Sequence, residues 1–134
     1  ILPLLYDDES TATILEDDAG VQQGAEAIHG KIVGLYFSAG WCPPCRKFSP
    51  ELSRFQAAHS DDFAVIFISC DHSEAEMKSF CAGKGFLRVP FGSEARATIQ
   101  ARMGVSMLPT LVIVDVESGE VLTDWGRAAV TRNP

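Results

Sequence analysis

Two seven-residue runs, Ile32-Val-Gly-Leu-Tyr-Phe-Ser38 and Phe63-Ala-Val-Ile-Phe-Ile-Ser69, are apolar at nearly every position. A strand with one wet face alternates apolar and polar side chains, so these runs predict strands covered on both faces. Between them, from about Pro43 to His59, Phe48, Leu52, Phe55 and His59 recur at helical spacing. Pro50 falls inside that helix and is expected to kink it. Ser73 and Glu76 form a capping-box signature before a second helix, whose apolar stripe is Met77, Phe80 and Cys81 and which Gly83 and Gly85 close. Ser93 is placed to cap a third, with Ala95, Ile99 and Met103 on one side and Gly104 just past its end. Thr110–Val116 is a third apolar strand, and after a turn at Glu117-Ser118-Gly119 the segment Glu120–Asp124 returns as an antiparallel hairpin edge. Near the start, Thr11–Leu15 reads as a short strand and Asp17-Asp18-Ala19-Gly20 as a turn. This order of elements is that of an α/β domain, a mixed central β-sheet flanked by helices on both faces.

The length of 134 residues suits one domain over 1–134 with one core, residues 1–30 being an N-terminal extension or hairpin. Eleven Lys and Arg against eighteen Asp and Glu give a formal charge of −7. That balance argues against a nucleic-acid partner, which needs clustered positive charge facing phosphates, and against an anionic membrane surface. The apolar runs are strand-length, far short of a bilayer span. The opening Ile-Leu-Pro-Leu-Leu-Tyr-Asp-Asp-Glu has no positive n-region, so no signal peptide is expected. A cytoplasmic monomer is expected from the sequence as a whole. The missing starting Met, and the stop at Pro134 soon after the hairpin, fit a fragment that lacks a closing helix or extension.

Four cysteines, at 42, 45, 70 and 81, are too few for a small disulfide scaffold. Trp41-Cys42-Pro43-Pro44-Cys45 lies at the junction of the first apolar strand and the following helix. Cysteines at i and i+3 on a helical turn lie on one side, within reach of a short disulfide ring. The helix start favours an anion, and the thiolate is the reactive form, so Cys42 is expected to ionise more readily than a free thiol. Pro43 suits the first helical turn, and the two prolines stiffen the loop between the sulfurs. Cys45, one turn in, is expected to be more buried and less ionised. Cys42 then attacks and Cys45 resolves, in a cycle that needs no metal or organic cofactor. A zinc site would want a second ligand pair at similar spacing, and an inert structural disulfide is the remaining alternative. Trp41 beside the nucleophile is either packing or part of a docking surface.

These residues resemble the thioredoxin superfamily and, more narrowly, the tryparedoxins of trypanosomatids and the nucleoredoxins. Leu35-Tyr-Phe-Ser-Ala-Gly-Trp-Cys-Pro-Pro-Cys45 with Phe48 and Pro50 is similar to their active-site stretch, and W-C-P-P-C differs from the W-C-G-P-C of thioredoxin itself. Val89-Pro90-Phe91, Leu108-Pro109-Thr110-Leu111 and Ser118-Gly119-Glu120-Val121 follow in the family's order. The resemblance implies a thioredoxin fold and a dithiol reductase. It supplies as donor trypanothione, glutathione or a protein reductase, and as acceptor a disulfide-containing protein such as a peroxiredoxin, or signalling partners in the nucleoredoxin manner. It also implies that Pro109 is cis and faces the reactive cysteine, with the peptide groups of Met107 and Leu108 free to pair with an extended partner. Trp41, Pro43, Pro44, Met107, Leu108 and Pro109 form the expected substrate-binding surface.

The resemblance has departures. Cys70-Asp71-His72 stands where the family usually has Trp-Asp, often followed by Glu. Asp71 keeps a carboxylate for proton transfer, although a strand-end Asp is also a common helix-entry cap. His72 replaces an acid that helps recognise a cationic, trypanothione-like donor, which counts against that donor. Tyr36 occupies the place of the buried acid of ordinary thioredoxins, as in tryparedoxins, and is either core or part of a proton relay. Cys70 is a third redox centre or filler, Cys81 filler, and Arg46 and Lys47 a solvated face beside the thiolate.

Overall fold

Residues 15–24, 27–118 and 120–132 are described by the computed structural model of the chain. The two apolar runs are the central strands, β3 (Ile32–Ser38) and β4 (Phe63–Ser69), with the bounds that the sequence predicts. They pair in parallel from Ile32↔Phe63 to Ser38↔Ser69, so equivalent positions of the two runs share a face. Around them the sheet is ordered β2-β1-β5-β4-β3-β6-β7. Here β1 is Leu15–Glu16, β2 Gln22–Gln23, β5 Leu87–Arg88, β6 Thr110–Asp115 and β7 Val121–Thr123. β6 runs antiparallel to β3, and β7 returns beside it as the expected hairpin.

Side chains alternate across a strand, and the two faces of β3 and β4 therefore build two cores. Val33, Leu35, Phe37, Ala64, Ile66 and Ile68 pack on one face with Ile99, which belongs to α3 (Ala95–Met103). Tyr36, Phe63, Val65 and Phe67 pack on the other with Phe48, Leu52, Met77, Cys81 and Val130. Those last five come from α1 (Pro43–Ala58), α2 (Glu74–Cys81) and α4 (Gly126–Arg132). The helix α1 continues through Pro50. At α2 the Glu76 N–H donates to Ser73 Oγ at 3.2 Å, a cap worth about 1 kcal/mol. At α3 the Ser93 hydroxyl accepts from Ala95 N–H at 3.1 Å, one residue ahead of the formal cap Glu94. Gly104 ends that helix in the left-handed region, at φ 65°.

One expected strand is described only at its end, and two elements are absent from the sequence reading. Residues 11–14 of the expected first strand lie outside the described residues; the described strand is Leu15–Glu16, followed by the expected turn, where Asp17 Oδ1 accepts from Ala19 N–H and Val21 N–H at 2.9 Å each. β5 is two residues long, too short for a periodic signal. A short helix that the sequence reading does not place, α4, follows β7 and packs so tightly on β6 that a Cβ at Gly126 would lie 2.7 Å from the Leu111 carbonyl oxygen.

Candidate functional site

Because Ser38 and Ser69 lie side by side, the loops leaving β3 and β4 emerge together at the carboxyl edge of the parallel pair. The first loop, Ala39-Gly40-Trp41, leads to Cys42, the N-cap of α1, with φ −97° and ψ 113°. Pro43 and Pro44 then fill the first two helical positions. Neither has an N–H, so the end of α1 presents its dipole and the Cys45 amide to an anion rather than a fan of backbone donors. The Cys42 amide itself donates to Ala39 C=O at 3.3 Å.

All four cysteines are free thiols. Cys42 is 6% exposed and Cys45 fully buried. The Cys42 S–H points at the Leu108 carbonyl, at 3.9 Å. Burial first, and then the hydrogen bond its S–H makes to Cys42, push the Cys45 thiol up to about 11, while the Ser38 hydroxyl and the Ala39 N–H pull it partly back. Burial also raises Cys70, against the pull of Arg96, and pushes Cys81 up to about 12.

The second loop steadies the first. Asp71 is 6% exposed. Its Oδ1 accepts from Gly40 N–H at 2.7 Å and its Oδ2 from the Ser69 hydroxyl at 2.7 Å, while Ser69 Oγ accepts from Asp71 N–H at 3.0 Å. Trp41 donates its indole N–H to Cys70 C=O at 3.0 Å and stacks on His72, with ring centroids 5.4 Å apart. Arg46 donates to Gly40 C=O at 2.8 Å, and Lys47 is exposed.

The Leu108–Pro109 peptide is cis. Met107 beside it is 75% exposed, and its carbonyl accepts from the Thr110 hydroxyl at 2.6 Å. Met107, Pro109, Trp125 and Arg127 line one groove of about 330 Å³. Trp125, 76% exposed, is a surface feature that the sequence reading missed. A lone Trp after an edge strand carries no periodicity, and only the fold brings it to the same groove as Met107. Tyr36 is buried and belongs to a hydroxyl cluster: its O–H pairs with Ser49 Oγ at 2.7 Å and accepts from Ser38 O–H at 3.1 Å. Burial, chiefly, pushes Tyr36 up to about 12. The structure thus gathers Tyr36, Trp41, Cys42, Pro43, Pro44, Cys45, Asp71, Met107, Leu108 and Pro109 at one edge of the sheet. Cys81 lies apart, on the buried stripe of α2. Among the described residues, no cluster of three His, Cys, Asp or Glu side chains could hold a metal ion, and no helix is long and apolar enough to cross a membrane.

The raised values fix the sign of the alkaline response. Cys45 and Cys81 ordinarily ionise near 9.0 and Tyr36 near 10.0, and all three hold their protons more tightly in the folded chain. The folded state therefore binds more protons above about pH 9, so stability is full below that pH and falls as pH rises through 11 and 12. Urea denaturation is expected to show a lower midpoint at about pH 10.5 than at about pH 8. An unchanged midpoint would mean that these groups are not protected by the fold.

A family profile described as thioredoxin-like matches residues 30–121. Tryparedoxin of Trypanosoma brucei brucei is 36% identical over 113 residues, which cover 81% of this chain and 77% of that protein. Mouse (Mus musculus) nucleoredoxin is 38% identical over 110 residues, 79% of this chain, and the match spans only 25% of that longer protein. A structure of tryparedoxin II complexed with glutathionylspermidine superposes with a TM-score of 0.87 at 33% identity, covering 98% of this chain and 93% of that one. The chain, with its mixed sheet and helices on both faces, has the thioredoxin fold and belongs to the thioredoxin-like family of thiol–disulfide oxidoreductases that includes the tryparedoxins and nucleoredoxins.

Proposed function

We propose that this chain carries electrons from a dithiol donor to the disulfide of a protein acceptor, of the thiol-peroxidase kind, through Cys42 and Cys45. The observation that carries the reading is the asymmetry of the pair: Cys42 caps a helix at the edge of the sheet, and Cys45 is buried behind it as a thiol pushed up to about 11. The Cys42 thiolate attacks the acceptor disulfide and forms a mixed disulfide; Cys45 attacks Cys42 Sγ and the reduced acceptor leaves. The donor then reduces the Cys42–Cys45 ring by the same steps in reverse. The cycle draws on no metal or organic cofactor.

Trp41 on one side, and Met107, Pro109 and Trp125 on the other, form the docking surface, with Pro43 and Pro44 as its rigid floor and the Leu108 carbonyl next to the sulfur. Asp71 acts as a pin for the Gly40–Cys42 loop, since its Oδ1 holds the Gly40 N–H while its Oδ2 is anchored on the Ser69 hydroxyl at the end of β4. The donor is a glutathione-type thiol or a protein reductase; glutathionylspermidine is bound by the related tryparedoxin II. Exposed Trp125 (76%), Met107 (75%) and Trp41 (47%) also favour a second reading, a redox-dependent interaction module that holds partners with little turnover.

Insulin-disulfide reduction, run in parallel with trypanothione, glutathione and a thioredoxin reductase as donors, separates the two. Sustained turnover with at least one donor supports the shuttle, and the fastest donor identifies its class. Failure of every donor, with tight partner binding that persists in Cys42→Ser, would establish the interaction module instead.

A further inference from the structure

Tyr36 and Ser38, two apart on β3, point to the same face of the sheet, and Cys45 and Ser49, four apart on α1, lie on one face of the helix. Facing one another, they make a buried polar cluster in an otherwise apolar core: Ser38, Tyr36, Cys45 and Ser49 are all 0% exposed. A polar group held this deep needs a partner in every state of the site. The Ser38 O–H donates to Tyr36 Oη at 3.1 Å. Because Tyr36 meets Ser49 and Cys45 stands one turn before Ser49, Ser38, two residues on along β3, comes level with Cys45, where a donated hydrogen bond favours the thiolate and pulls that thiol down. Tyr36 is held in place from its far side by Ser49 at 2.7 Å. A hydroxyl hydrogen rotates to suit its surroundings, so one O–H can serve either acceptor.

We propose that Ser38 is a positioning residue for the resolving thiol: its O–H rests on Tyr36 Oη while Cys45 is protonated and swings to the Cys45 sulfur as that thiol ionises. The inference rests on the assignment of Cys45 as the resolving residue. In the resolving step the Cys45 S–H bond breaks and the Cys45 Sγ–Cys42 Sγ bond forms. The bond from Cys42 Sγ to the partner sulfur breaks, that sulfur leaves with the electron pair, and the proton passes to it or to buffer. No outside oxidant or reductant takes part, because the mixed disulfide supplies the oxidising equivalents. Among the described residues no cation shifts the Cys45 thiol, so a neutral donor that turns towards the sulfur only as charge develops lowers the barrier without placing an ion in the core.

The arrangement distinguishes a swinging donor from a proton relay, because the two give Tyr36 opposite roles. As a relay member Tyr36 assists the ionisation of Cys45; as the resting acceptor it competes with Cys45 for the Ser38 hydrogen. The probe is the mixed disulfide of Cys42 with nitrothiobenzoate, formed by one equivalent of the aromatic disulfide, and the readout is the second release of the coloured thiolate as a function of pH. Ser38→Ala is expected to slow that release roughly ten-fold at neutral pH and to move its pH midpoint up by about one unit, the scale of a hydrogen bond to a charged group. Tyr36→Phe is expected to leave the midpoint unchanged or lower it, while lowering the urea midpoint of the fold. The first release, which reports Cys42 alone, serves as the control for a general disturbance and should stay near wild type in both variants. A wild-type pH profile in Ser38→Ala, or an alkaline shift of the same size in both variants, overturns the proposal. Failure of Cys45→Ser to retain the mixed disulfide would instead overturn the assignment of Cys45 beneath it.

Discussion

Replacing Cys45 with Ser is expected to turn the protein from a turnover catalyst into a trap. The first attack needs only Cys42, which keeps its place at the cap of α1. The second needs a sulfur behind it, and Cys45, fully buried, is the one that the helix places a single turn away. Without it the mixed disulfide persists until an outside thiol resolves it. Reductase activity should fall by roughly a thousand-fold or more, the scale on which loss of a nucleophile acts. Intact mass should show one acceptor bound per chain after mixing with a disulfide protein, and Cys42→Ser should show neither activity nor adduct. An adduct that maps to Cys70 rather than Cys42 would relocate the chemistry to the second loop.

Phe48→Ala is expected to produce the largest loss of stability linked to the site. Phe48 is 3% exposed, and its ring meets the edge of Tyr36 at 5.8 Å, fastening α1 to the sheet one turn beyond Cys45. Arg127 of α4 lies 5.9 Å above the same ring, so the truncation loosens two helices at once. Deleting a buried Phe costs about 3–5 kcal/mol, and a whole domain of this kind holds about 5–15 kcal/mol. Urea denaturation at neutral pH measures the difference. A loss under about 1 kcal/mol would show that α1 is anchored elsewhere.

The parts of this molecule legible in its sequence are those that repeat a physical pattern. β3 and β4 are uniformly apolar because both of their faces are covered, so their bounds could be read directly. The Ser73 cap and the Gly104 stop were legible for the same reason, since each residue meets a local backbone demand. The two-residue strand β5 and the short helix α4 were not, because long-range pairing and packing on Leu111 hold them in place rather than any local preference. At the site, the Cys42–Cys45 pair announced itself by spacing, whereas the two loop devices did not. Asp71 binds Gly40 across 31 positions of chain, and Trp125 joins Met107 in one groove only after β6 and β7 have folded back. The Tyr36–Ser38 and Cys45–Ser49 spacings were visible all along. Small polar residues at such positions are common, however, and only the pairing of β3 with α1 shows that they meet.

The parallel pairing that ends level at Ser38 and Ser69 makes the site a gauge of strand alignment. Side chains change sides at every step along a strand, so sliding β4 past β3 by one residue would send Ser69 to the opposite layer and withdraw the carboxylate from Gly40. An insertion or deletion inside either strand thus disarms the cysteines without touching them. The same change in the distal turn between β6 and β7 leaves that alignment as it was.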